Sequence, residues 1–234
     1  MTGERALAWW AERFEELRVP HGPVHERDGR VTLDFEDPEG QRLALLDDGG
    51  AGDEPVAWDA SPVPREHQIR GLGPIVMSVP DVRPTDAVLT KALNMRRVRS
   101  YPHPEVAAHT VHVFEMGEGG AHAELHVAEQ PGIPTVHPGA GGVHHVAFRT
   151  PDDEYEAWAE RLNTLRIPNS GEVDRYYFRS LYFREPGGVL FEIATDGPGF
   201  AVDENPATLG EQVALPPFLE PRRAAIMANL QPIE

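Results

Sequence analysis

One stretch of this chain is written twice. WAERFEELRVP, Trp10 to Pro20, recurs as WAERLNTLRIP, Trp158 to Pro168, at an offset of 148 positions. The same offset carries Asp37-Pro38-Glu39-Gly40 onto Glu185-Pro186-Gly187-Gly188. About forty residues therefore align without a gap, which marks a duplicated supersecondary unit. The constraint is strong, because any fold open to one copy must suit the other. A strand-like run, GGVHHVAFRTP (Gly141 to Pro151), stands ahead of the later copy's helix, and its His145 projects to a place before Met1. The first copy is thus expected to start at its helix, as though a duplicated protein had lost its front.

Local patterns fill in the units. Arg5 to Leu17 sets Leu7, Trp10, Phe14 and Leu17 on one helical face. Val31 to Phe35 alternates as a half-buried strand, Asp37 to Gly40 turns, and Arg42 to Leu46 returns, which predicts a hairpin. Asp47 to Arg65 is rich in Gly, Asp and Pro and reads as a linker. A strand over Pro74 to Val79, a helix over Pro84 to Leu93, and strands at His109 to Phe114 and Ala123 to Val127 follow. The later copy then supplies a strand over Val143 to Arg149 and a helix over Asp152 to Leu165. Strands near Arg175, at Leu181 to Phe183 and at Val189 to Ala194 complete it. VPDVRPTDAVLTKAL matches TPDDEYEAWAERL at an offset of 71, so Ile69 to Asp196 holds two strand-helix-strands units. The reading is α+β: a partial unit at 1–51, a linker at 52–68, a two-unit domain at 69–200 and a tail at 201–234. The tail carries a helix, Pro221 to Leu230, expected to pack Ala225, Ile226 and Leu230 on the body.

Composition narrows the function. The formal charge is −17, from 21 Lys+Arg against 38 Asp+Glu, without a basic patch, so nucleic acid and anionic membranes are poor partners. The absence of Cys excludes disulfides, thiolate nucleophiles and Cys-metal sites. With no apolar run of about eighteen residues and no signal-like start, a cytoplasmic protein is expected.

Three aligned units show which polar residues are local. Where the last unit has His144-His145, the middle one has Gly73-Pro74; where the last has Glu192, the first has Ala44. Glu192 lies in Val189-Leu190-Phe191-Glu192-Ile193-Ala194, an apolar strand, and a lone carboxylate there costs several kcal/mol unless paired or bound to a cation. Alternation separates His144 from His145, so at most one of them joins Glu192 on a face. A His and a carboxylate on two strands of one sheet make two thirds of a facial 2-His-1-carboxylate site. Read from the residues alone, a His-His pair in a strand is more often structural or solvated.

The stretch GGVHHVAFRTPDDEYEAWAERL…DRYYFRSLYFREPGGVLFEIATDGPGFAVDE resembles the ring-cleaving extradiol dioxygenases, hydroquinone type, of the vicinal oxygen chelate (glyoxalase) superfamily. EHQIRG and LPPFLEPRR also look like that branch. The resemblance implies repeated βαβββ modules, here one partial and two full, with the N-terminal module lacking. It implies Fe(II), alternatively Mn(II), on His145 and Glu192 with a third ligand from the lacking module, and Tyr182, Arg175 and His144 as catalytic residues. The implied function is metal-dependent cleavage of hydroquinone- or catechol-type rings with O2 in aromatic compound catabolism. Two other readings stand beside it: a glyoxalase-like lyase or isomerase, and a non-catalytic small-molecule-binding remnant. The open first copy predicts a homo-oligomer, or a partner chain that supplies the missing module.

Overall fold

A computed structural model of the chain describes residues 3–52, 54–134, 139 and 142–231. It falls into two compact units, Met1–His144 with Glu185–Val189 and His145–Arg184 with Leu190–Glu234. The first copy forms helix α1 (Glu4–Leu17) and strands β1 (His25–Arg27), β2 (Arg30–Glu36) and β3 (Arg42–Leu46). These strands make an antiparallel sheet in that order, with the predicted hairpin in register from Thr32↔Leu46 to Glu36↔Arg42. Leu7 and Phe14 of α1 meet Leu33 and Leu45, with Trp10, Val19, Val31 and Phe35 packed around them. Each such side chain removed from water contributes about 1.5–3 kcal/mol. Among the described residues no strand pairs with the outer edge of β3.

The middle copy runs β4 (Ile75–Val79), α2 (Val82–Ala87), β5 (Arg96–Pro102), β6 (Thr110–Glu115) and β7 (Glu124–Glu129). The sheet order is β4-β7-β6-β5, with β7 parallel to β4. The helix starts earlier than the expected Pro84, because the Asp81 carboxylate accepts the Arg83 N–H at 2.9 Å and caps it. It continues as a π-helical segment, Val88–Ala92. Strand β5 escaped the sequence reading: RRVRSYP has no alternation, and its register slips between Arg97 and Arg99.

The later copy runs β8 (Val146–Thr150), α3 (Tyr155–Thr164), β9 (Val173–Asp174), β10 (Arg179–Arg184) and β11 (Leu190–Thr195). Its order is β8-β11-β10-β9, with β8 and β11 parallel. Both complete copies are therefore βαβββ modules. Phe191, at the centre, meets Phe148 and Phe183 edge-on at 5.1 and 5.6 Å. One boundary needs correction. The strand expected over Val143 to Arg149 begins at Val146, whose partner Phe191 is the second residue of β11, so His144 and His145 precede the pairing. The tail also differs from expectation. Its helix is α4 (Arg223–Met227), and Ala225 and Leu230 are exposed rather than packed. Ala225 and Ile226 are adjacent and Leu230 lies past the helix end, so no single face gathers them.

The repeat extends to backbone detail. α1 ends on Arg18 at φ 58°, and Arg166, its counterpart after α3, sits at φ 55°. In each case the next N–H returns to the helix, Val19 to Phe14 O and Ile167 to Leu162 O, both at 2.9 Å. This is a Schellman-type stop, normally built on Gly, because a left-handed side-chain residue costs about 1–2 kcal/mol. Arg18→Gly and Arg166→Gly are each expected to stabilise the protein by about 0.5 kcal/mol, the strain relieved exceeding the freedom returned to the unfolded chain. Denaturant midpoints check this; a fall in both variants contradicts it.

Candidate functional site

The central strand of the last sheet sorts its residues by face. Phe191 and Ile193 are buried core, so Leu190, Glu192 and Ala194 face the other way. Glu192 lies between Ala147 of β8 and Tyr182 of β10. Its side chain is only 4% exposed, a depth at which a carboxylate needs partners. It has two. His145 Nε2 lies 2.6 Å from Glu192 Oε2, and the Ser180 hydroxyl donates to Oε1 at 2.5 Å. The His145 ring, one-third exposed, meets the Tyr182 ring edge-on at 6.0 Å.

Tyr182 in turn carries Arg175. The Arg175 Nε–H donates to the Tyr182 hydroxyl at 3.3 Å, and the guanidinium carbon lies 5.1 Å from the ring centre. The turn after β9 holds it there: the Arg175 N–H bonds Phe178 O, and Tyr176 takes φ 72°. Strain of this kind gathers at functional sites. The first copy has the same pairing with different chemistry, since Arg27 donates to Asp34. Only the later copy places a phenol at that point, beside a carboxylate.

The structure thus brings His145, Glu192, Tyr182 and Arg175 together. His144 is exposed, one residue ahead of His145. Ser180 was missed, because a lone serine in FRSLYFR has no distinguishing spacing. The His145 and Glu192 atoms suit a divalent cation. Two bonds of about 2.0–2.2 Å at right angles set their ligand atoms about 3 Å apart, so the observed pair needs to open by only a few tenths of an ångström.

A second cluster lies in the other compact unit. Asp28, Glu124 and His126 bring ligand-type atoms within 4.8 Å of one another, the one such group of three among the described residues. His126 pairs with Val76 of β4 and Val113 of β6, the same place in its sheet that Glu192 holds in the last one. Guanidinium groups already fill this cluster. Arg30 grips both Glu124 oxygens at 2.7 Å, and Arg99 bridges Glu124 at 2.9 Å and Asp28 at 2.6 Å. His126 Nε2 lies 2.9 Å from Glu124, and its Nδ1 lies 3.0 Å from the Tyr101 hydroxyl. Burial alone would raise the Glu124 carboxyl, but hydrogen bonds from Arg30, His126 and Arg99 outweigh it and hold the group well below its ordinary range. Burial, with the Asp28 charge adding to it, pushes the Tyr101 hydroxyl up to about 12. With its positive charge already supplied by arginine, this cluster reads as a buried ion-pair network.

Known proteins carry the same architecture. A family model described as the Glyoxalase/Bleomycin resistance protein/Dioxygenase superfamily matches residues 71–193. Over 235 residues the chain is 47% identical to MhqA of Bacillus subtilis (strain 168), named provisionally as a ring-cleaving dioxygenase; the match spans 100% of this chain and 74% of that one. It is 33% identical over 223 residues to the chlorohydroquinone/hydroquinone 1,2-dioxygenase of Sphingobium indicum, spanning 92% of this chain and 65% of the relative. A crystal structure from Bacillus subtilis, provisionally named a dioxygenase, superposes with a TM-score of 0.84 at 32% identity, covering 99% of this chain and 71% of that one. With a βαβββ order repeated in both four-stranded sheets and these matches along its length, the chain belongs to the Glyoxalase/Bleomycin resistance protein/Dioxygenase superfamily.

Proposed function

We propose that this protein is a metal-dependent ring-cleaving dioxygenase for hydroquinone- or catechol-type aromatics in aromatic compound catabolism, with Fe(II), alternatively Mn(II), held by His145 and Glu192. The observation that carries the reading is the approach of His145 Nε2 to Glu192 Oε2 at 2.6 Å, beside Tyr182 and the Arg175 that bonds it. The names of the relatives support the substrate class. When bound, the metal supplies a common centre for the aromatic diol and O2 and relieves the spin barrier to their direct reaction.

The chain's own residues do the rest. The Arg175 Nε–H holds the Tyr182 hydroxyl in place, so Tyr182 is positioned to take a proton from a ring hydroxyl and return it. The Arg175 cation stabilises negative charge as it develops on the ring oxygens. His144 is the further substrate-contacting candidate. A facial set of two imidazoles and one carboxylate needs one ligand more than His145 and Glu192 supply. We take that ligand to come from outside the described residues or from a second chain; in the second case a homo-oligomer or a partnered complex is the working form. Among the described residues no helix is long and apolar enough to cross a membrane, which suits a cytoplasmic enzyme.

The test is oxygen uptake by the Fe(II)-loaded protein with hydroquinones and catechols, beside turnover of methylglyoxal with glutathione. Diol-dependent uptake with a ring-opened product is expected. Glutathione-dependent isomerisation without uptake contradicts the proposal. Tyr182→Phe is expected to lower kcat by about 10²-fold or more, with Fe(II) affinity unchanged. A variant with full kcat would remove Tyr182 from proton transfer.

A further inference from the structure

Glu192 has two oxygens, and they are treated differently. Oε2 faces His145 Nε2, while Oε1 accepts the Ser180 hydroxyl at 2.5 Å. Ser180 is fully buried and sits on β10 opposite Ala194, two residues from Tyr182, on the face that carries Glu192. Its backbone is anchored twice. It pairs with Val173 of β9, and its carbonyl accepts the Tyr155 hydroxyl at 2.6 Å from helix α3. The position of the Ser180 hydroxyl is therefore set by the sheet and the helix beneath it.

We propose that Ser180 is a positioning residue that occupies Oε1 and so leaves Glu192 to bind the metal through Oε2 alone. The inference rests on the metal reading of His145 and Glu192 given above. A carboxylate free to rotate is able to offer both oxygens to an ion. That would take two coordination positions where the reaction needs open ones for diol and O2. One short hydrogen bond from a fixed backbone removes this choice.

The repeated modules supply an internal comparison. In the first copy the matching residue is Thr32, opposite Leu46, and Ala44 stands where Glu192 does. With no carboxylate to meet, the Thr32 hydroxyl donates to Arg30 O at 3.1 Å. In the middle module the matching residue is Val111, opposite Ala128, and His126 takes the place of the carboxylate. Of the three sister positions, only Ser180 joins a hydroxyl to a carboxylate. Thr32 also shows that the fold accepts threonine at this point.

The test is anaerobic titration of the full chain with Fe(II), and with Co(II) for its visible spectrum, on the native protein, Ser180→Ala, Ser180→Cys, Ser180→Thr and Glu192→Ala. Ser180→Ala is expected to weaken Fe(II) binding by about 10–100-fold. Its Co(II) bands are expected to shift as the carboxylate turns bidentate. Ser180→Thr, which keeps the hydroxyl, is expected to restore both. Ser180→Cys keeps the volume with a weaker donor, and it tests the role should the alanine variant fold poorly. Native affinity and spectrum in Ser180→Ala and Ser180→Cys, with binding lost in Glu192→Ala, would overturn the role of Ser180 and leave the metal reading intact. Equal binding in the native protein and Glu192→Ala would overturn both.

Discussion

Glu124→Ala is expected to destabilise the protein by about 3–5 kcal/mol, the largest stability effect of any substitution proposed for this chain. The side chain is fully buried and is the shared acceptor for Arg30 and Arg99. Asp28 offsets only one of those two charges. Removing Glu124 takes from Arg30 its bidentate acceptor at a partly buried position and leaves a void beside it. The pH dependence has a definite sign. The folded carboxyl titrates below its ordinary value of 4.5, so the unfolded chain takes up the proton first. The stability this group contributes is therefore complete above 4.5 and is lost as pH falls below it towards the folded value. Denaturant unfolding of native protein and Glu124→Gln is expected to show a gap that is constant at neutral pH and narrows below 4.5. A gap under about 1 kcal/mol at neutral pH would contradict the network's role.

His145→Ala and Glu192→Ala are expected to do the reverse, costing function and little stability. Each removes a proposed metal ligand, so affinity is expected to fall by more than the roughly 100-fold attached to the groups that merely orient ligands. Diol-dependent oxygen uptake is expected to fall to background. Among the described residues Glu192 neutralises no guanidinium; its partners are an imidazole, one-third exposed, and a hydroxyl. The stability lost in Glu192→Ala is expected to be about 1 kcal/mol, the scale of one hydrogen bond. Calorimetry and oxygen uptake on the two glutamate variants separate the roles. A large stability loss in Glu192→Ala would mean that this carboxylate, too, is structural.

The sequence made the scaffold legible wherever the repeat reached. The common offset of 148 aligned two helices and two DPEG-like turns, and in the structure Arg18 and Arg166 close those helices alike while Gly40 and Gly188 return their N–H groups to Asp37 O and Glu185 O. Alternation put Glu192 on the face away from Phe191 and Ile193, where it lies. What stayed hidden was short or non-local. β1 has three residues, too few for a period to show, and the bulge in β5 erases its alternation. Ser180 became visible only through pairing register. The Asp28, Glu124 and His126 cluster unites a hairpin turn with a strand about a hundred residues later, a juxtaposition that only tertiary structure creates.

The central claim is that His145 and Glu192 hold a metal. Its most direct test is anaerobic Fe(II) titration of the purified chain beside Glu192→Ala. The account predicts about one Fe(II) per native chain, with binding lost in the variant. Native protein that binds no more iron than Glu192→Ala would contradict it.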